Sequence, residues 1–586
     1  LLWILTLKCM WVSSIPMSER VALSAIFNNT GGRLWVQNEG WEDILTRKNP
    51  CGAFGVTCGG ANESNVVALD LAKNYLVGEM PEELVNLTRI VELNLNENRL
   101  SGRRLNVSSS LLSIELSNNW FESVPEGIHL CHNLTNFNIG WNSLGGVIPS
   151  WLFDLTNLEV LDLGNIGLDQ VPPGIAQLKH LRSLDFGNND LNGVLPDFLF
   201  DLPITELDLF GIGLTRVPDR LRDLNLKNLN MENNPLNGAI PNYIFQECPG
   251  LEELHLRYCG LKTLPATANL PNLRVLNLGY NPLGGQIPEW IWDLSGLETL
   301  SLGLTGLTRI SDRLVDLENI RNIYLWGNSL SSINIGSCST LEKLNIQNND
   351  FTTLPDLSRC TSLIELNIGR NPLNIDRLPD SIWSMSKLQV LDIDLIGLTT
   401  LDDRFDELSE LRELYISNNK LGSVPESIST LVFLRKFHLP NIGMKGLPPW
   451  IVKLKNLEDL DISRNNIGGT FKEVVEDTLL PNLPFLERLG IQFTRLTGSI
   501  PATFPISQFR RFDVSYNALE IPPEIAQFCP TSECSIDSDS GFCCKQAECP
   551  EDTILVYIGG YDYSCQPCAN VGACNIINPP FVDSCN

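Results

Sequence analysis

Four stretches between Pro203 and Pro288, ITELDLFGIGL, LKNLNMENNPL, LEELHLRYCGL and LRVLNLGYNPL, share one frame: L-x-x-L-x-L-x-x-N-x-L or a near variant. The frame recurs from Val66 to Leu519 in 20 copies. A unit this short cannot cover its own apolar edge, so successive copies must stack and share one continuous core. The chain is therefore expected to form a solenoid. Such an array grows in one dimension, and its 586 residues read as one elongated domain with caps rather than as several globular ones.

Within each copy the L-x-L core predicts a short strand, whose alternation sends the leucines inward and the residues between them to the opposite face. The position three places after the second strand leucine is Asn in thirteen copies, from Asn74 to Asn517. The other seven carry Ile166, Ile212, Cys259, Thr305, Ile396, Ile442 and Thr494. The two kinds alternate from Asn142 to Asn328 and again from Asn371 to Asn517, so the true unit is a pair of turns of about 46 residues. A turn without Asn needs another side chain in the slot, and Ile supplies it in four cases. Segments such as PEWIWDL and PDFLFDL predict short helical turns on the other side, with their Trp and Phe residues in the core.

This spacing covers about four fifths of the chain and resembles the leucine-rich repeat family. The resemblance implies an α/β solenoid: a right-handed superhelix with a concave parallel β-sheet and a convex side of short 3-10 or helical turns. It also implies that the Asn amide bonds backbone groups of neighbouring turns. The L-x-G-x-x-P continuations LGGVIP, LNGVLP, LNGAIP, LGGQIP and LTGSIP resemble the plant-specific subclass, in which extra residues add a second short strand. Here that strand is expected mainly on alternate turns. The order SERVALSAIFNNTGG, GGRLW, EGW, NPCGAFGVTCGG resembles the N-terminal cap of the same proteins, which implies a Cys51–Cys58 bridge. An amphipathic helix is expected over Ser18–Gly32, with Ser as its N-cap.

Four regions follow: an apolar arm at 1–16, a cap at 17–65, the array at 66–527 and a Cys-rich acidic domain at 528–586. Within the array, Asn328, Asn349 and Asn371 succeed one another with no Asn-poor turn between them, and FKEVVEDTLL, before Thr494, reads as a short inserted helix. In the tail TILVYIGGYDY predicts a hairpin.

The formal net charge of -27 argues against nucleic acid as a partner. Of 17 cysteines, 9 lie after Ala526, a density that points to an oxidising compartment and an extracellular protein, secreted or on the cell surface. No apolar run reaches the roughly 18 residues of a membrane span. LLWILTL is either a retained arm or the end of a longer precursor segment. The sequence contains no metalloprotease, nucleophile-elbow or phosphate-loop motif, so no catalytic residues, metal or cofactor are assigned. Cys565–Cys568 reads as disulfide chemistry rather than zinc, and Asp537–Gly541 as a turn rather than a calcium loop. Cys131, Cys248, Cys338 and Cys360 share one pre-strand position that suits a small buried hydrophobe. Cys338 and Cys360 stand on consecutive turns, where stacking at about 4.8 Å allows either a disulfide or two buried thiols.

Sequons occur at Asn28, Asn62, Asn86, Asn106 and Asn133 and nowhere later, which predicts N-glycans confined to the N-terminal quarter. The outward strand positions count 16 acidic against 5 basic residues, so the concave face is expected to be acidic. On it Tyr324 and Trp326, with Lys343, Asn345, Gln347, Glu365 and Asn367 on the next two turns, form the candidate patch for a protein or glycan. The resemblance to receptor ectodomains and polygalacturonase inhibitors implies a non-enzymatic binding protein. The alternative is a structural subunit of an extracellular coat or filament, self-assembling through the arm and the Cys-rich tail.

Overall fold

Short strands form wherever the L-x-L core recurs, because each finds the same core one turn away. The computed structural model describes residues 15–46, 50–60, 64–238, 240–285, 287–520 and 522, with the backbone of strands Cys534–Asp537, Gly541–Cys544, Thr553–Gly559 and Asp562–Pro567. Residues 1–14 of the arm, Asn62 and the side chains of the Cys-rich segment lie outside the described residues. Close contacts divide the chain into two units, Leu1–Cys259 and Gly260–Asn586.

In the first unit, parallel strands stack from Asn65–Asp70 to Glu253–His255 with the inward leucines in register, Leu69 on Leu93, Leu161 on Leu184, Leu207 on Leu229 and Leu229 on Leu254. Strand Val56–Gly59 runs antiparallel to Asn65–Asp70 and closes that edge. Helix Met17–Asn29 lies against it, and its buried Glu19 accepts hydrogen bonds from Val66 N and Asn65 Nδ2, both at 2.8 Å. The helix begins one residue before Ser18. Pro16 precedes it with extended backbone (φ -53°, ψ 147°), and its carbonyl accepts from Glu19 N and Arg20 N. The ring fixes the entering chain at a φ that suits a helix start, so no serine cap is needed. Trp35 packs edge to face on Phe27 of this helix and on Trp41, Phe27 and Trp41 stack, and Cys51 is bridged to Cys58.

The second unit repeats the stacking from Val275–Asn277 to Arg511–Asp513. Cys338 and Cys360 are bridged across consecutive turns. FKEVVEDTLL contains a wide-wound helix, Lys472–Leu479. In the tail, Thr553–Gly559 and Asp562–Pro567 pair antiparallel as the hairpin. Opposite the sheets, short 3-10 turns such as Asp197–Asp201 and Glu289–Asp293 bury Phe200, Trp290 and Trp292. Among the described residues no helix is long and apolar enough to cross a membrane.

Among the described residues, eleven of the thirteen frame Asn residues, Asn98 among them, donate to a carbonyl one turn back. Asn189 Nδ2 donates to Leu163 O of the preceding turn (2.7 Å) and Phe186 O of its own (2.8 Å), while its Oδ1 accepts from Ile166 N and Leu168 N. Where two Asn turns succeed one another the pattern holds, as in Leu100 N to Asn119 Oδ1 and Phe351 N to Asn371 Oδ1. Where the next turn lacks Asn, that donor has no side chain to meet. In four such turns the backbone closes on itself: Leu144, Leu236, Leu283 and Leu373 N–H donate to the carbonyl of their own Asn two residues earlier, at 2.8–3.0 Å. Polar substitutes keep part of the function, since Thr305 and Thr494 Oγ1 donate to Leu302 O and Ile491 O, and Cys259 Sγ to Met231 O.

The second short strands depart from the expected alternation. They occur on consecutive turns, Val77–Glu79 with Arg99–Ser101 and Thr497–Ser499 with Ala518–Glu520. A strand needs a partner about 4.8 Å away, and alternate turns stand twice that far apart. Between these places the L-x-G glycine makes a single backbone bond instead, as Gly146 N to Ile166 O and Gly193 N to Ile212 O.

Candidate functional site

In-register stacking lines the outward residues of each strand into rows. In the second unit one row is Asn322, Lys343 and Glu365, and the next is Tyr324, Asn345 and Asn367. Trp326 and Gln347 follow two residues beyond Tyr324 and Asn345, so the seven residues of the sequence-derived patch occupy three adjacent turns. Lys343 Nζ stands 3.4 Å from Glu365 Oε2, and Asn367 Nδ2 donates to Glu365 Oε1. Burial, with Glu365 nearby, raises the Tyr324 hydroxyl to about 12, so it stays neutral. Trp326 meets Tyr280 edge to face at 5.2 Å, reaching across Gly303, where a Cβ would sit 2.6 Å from the indole nitrogen. Tyr280 escaped the sequence reading because the signal was a missing side chain, at Gly303. Asn322 Oδ1 and Asn367 Oδ1 are buried and accept no hydrogen bond among the described residues.

The first unit carries a different surface. Asp162, Asp185 and Asp208 pair in register on three successive strands. They line an open trough of about 460 Å³ with Glu115, Glu206, Glu232, Glu253 and His255. Each aspartate Oδ1 accepts the N–H two residues on, Gly164, Gly187 and Phe210, at 2.6–2.8 Å. Burial first, then the facing carboxylates, pushes Asp162 up to about 6 and Asp185 up to about 8. Asp208 is raised by burial, and His255 is raised by its hydrogen bond to Glu232. The acidic excess was legible in the sequence, but its concentration here was not singled out. The available signal was the run of D-x-G and D-x-F in LDLGN, LDFGN and LDLFG.

Residues 249–291 match the family described as "Leucine Rich repeats (2 copies)", and 180–202, 225–246 and 410–431 match "Leucine Rich Repeat". The chain is a leucine-rich repeat protein. It is 31% identical over 134 residues to the adenylate cyclase of Schizosaccharomyces pombe, covering 22% of this chain and 8% of that one. It is also 31% identical over 105 residues to Receptor-like protein 7 of Arabidopsis thaliana, covering 17% of this chain and 10% of that one. The match thus spans a tenth or less of either relative. Among solved structures, the crystal structure of PEPR1-AtPEP1 is similar at 23% identity and a TM-score of 0.46, covering 86% of this chain and 79% of that one.

Of the sequons in this leucine-rich repeat protein, Asn28 and Asn133 are exposed and Asn86 and Asn106 half-buried. Cys131, Cys248 and Cys259 are buried thiols, and burial holds the Cys131 and Cys259 thiols protonated to about 11 and about 12.

Proposed function

We propose that this leucine-rich repeat protein is a non-enzymatic extracellular recognition protein that binds a protein or glycan partner through the open face of its sheet. One observation carries the reading: two buried amide oxygens, on Asn322 and Asn367, meet no donor among the described residues and lie beside Tyr324 on the same face. A buried acceptor left unmet costs about 1–3 kcal/mol, and a ligand N–H or O–H aligned over this patch removes that cost. Tyr324 and Trp326 supply broad rings with polar edges, suited to a protein loop or a sugar ring. The bridges Cys51–Cys58 and Cys338–Cys360 suit an oxidising compartment.

The test is affinity for a partner recovered from the native extracellular fluid and then purified. Tyr324→Ala with Trp326→Ala is expected to weaken binding by about 2 kcal/mol or more. Because Trp326 packs on Tyr280, the same pair of changes lowers stability by about 1 kcal/mol. Undiminished affinity in the folded double variant would refute the assignment.

A further inference from the structure

A second concave site lies in the first unit, away from the sheet face, where the paired strands Val77–Glu79 and Arg99–Ser101 end. It is a cleft of about 470 Å³ lined by Glu79, Ser101, Arg103, Arg104, Trp120, Glu122 and neighbouring atoms. Trp120 is 56% exposed although its backbone is anchored, its N–H donating to Leu100 O at 2.8 Å. The Arg99 guanidinium lies 5.8 Å over the indole and 5.2 Å over the Tyr75 ring, which orients the Trp as a fixed plate. Gly102, at φ 110°, makes room for Glu79, since a Cβ there would stand 2.9 Å from the Glu79 carboxyl carbon.

The charges around this plate are not spent on one another. Arg104 reaches Glu126 at 3.4 Å, yet Arg103, Glu79 and Glu122 make no ion pair or side-chain hydrogen bond among the described residues. A polyanion would meet Glu79 and Glu122, and a polycation would meet Arg103 and Arg104. A neutral ligand rich in hydroxyls satisfies both, donating to the carboxylates and accepting from the guanidinium. The flat apolar face of a pyranose ring suits the exposed indole. The volume lies within the few hundred Å³ typical of small-ligand sites. We infer that the Trp120 cleft binds a neutral pyranose oligosaccharide.

The chain's own sugar at the Asn106 sequon, two residues beyond Arg104, would share this chemistry. The experiment therefore uses the full chain expressed without N-glycans. Calorimetric titration with β-1,4-linked tetrasaccharides of glucose, mannose and N-acetylglucosamine is expected to show saturable binding of at least one. Trp120→Ala should weaken that binding roughly tenfold, and Glu122→Gln should weaken it measurably with the shape of the cleft kept. The Tyr324→Ala, Trp326→Ala protein should bind as the unaltered chain does, which separates this cleft from the sheet face. No binding by any of the three sugars, or binding indifferent to Trp120→Ala, overturns the inference.

Discussion

Replacing Asp185 with Asn should stabilise the protein near neutral pH and leave it unchanged in acid. The folded chain holds the Asp185 proton to about pH 8, because burial and the facing Asp162 and Asp208 oppose the anion, whereas its ordinary value is 3.8. Between those two values the folded state binds more protons than the unfolded state, so stability falls as pH rises, by up to about 1.4 kcal/mol per pH unit. By pH 7 the limiting loss is about 4 kcal/mol. Water in the open trough and the sharing of charge among three carboxyls reduce what one substitution recovers to about 2 kcal/mol. Asn keeps the shape and the local bond, as Asn138 Oδ1 accepts from Gly140 N and Asn230 Oδ1 from Glu232 N at the equivalent places. Urea unfolding followed by tryptophan fluorescence at about pH 4.0, 5.5 and 7.5, which lie within the window, should show curves that nearly coincide in acid and separate above it. A variant no more stable than the parent at the highest pH would refute the argument.

Asn234→Ala should cost about 3–5 kcal/mol, since it removes the donors to Leu209 O and Met231 O and leaves the buried Leu214 N–H without its acceptor; hydrogen exchange should accelerate first at Leu214. Changing Cys338 and Cys360 together to Ala should cost about 3 kcal/mol for a link across a separation of 22 residues, and non-reducing peptide maps of the parent should contain the joined peptide. Separately alkylated cysteines would remove the bridge. Glycopeptide mass spectrometry should find N-glycans at Asn28, Asn62, Asn86, Asn106 and Asn133, and five unoccupied sites would defeat that expectation.

Strand placement was legible because every L-x-L core carries its own alternation, and equal repeats leave one register. The Asn slot was legible too, down to the seven turns that lack it. What the text could not display was the response of the main chain: the closure of Leu144 or Leu283 onto its own turn involves no distinctive side chain. The second strands were misplaced because pairing is a property of two turns, while L-x-G-x-x-P is read in one. Tyr324 and Trp326 stood out as aromatic residues, yet the orphan oxygens of Asn322 and Asn367 depend on where each amide rotates. In the trough the carboxylates were countable, but their mutual distance, which sets when they ionise, came only with the stacking.

The backward reach of the Asn amide also gives the array a rule for how its length can change. Excising an Asn-poor turn, such as that of Ile212, would place Asn234 behind Asn189, a succession the chain already tolerates at Asn328, Asn349 and Asn371. Excising the Asn234 turn would instead bring Cys259 behind Ile212, and the Leu214 N–H that Asn234 now receives would lose its acceptor. Nowhere in the sequence do two Asn-poor turns adjoin. In the alternating stretches an Asn-poor turn can therefore be lost singly, whereas an Asn turn flanked by two Asn-poor ones can be lost only together with one of them.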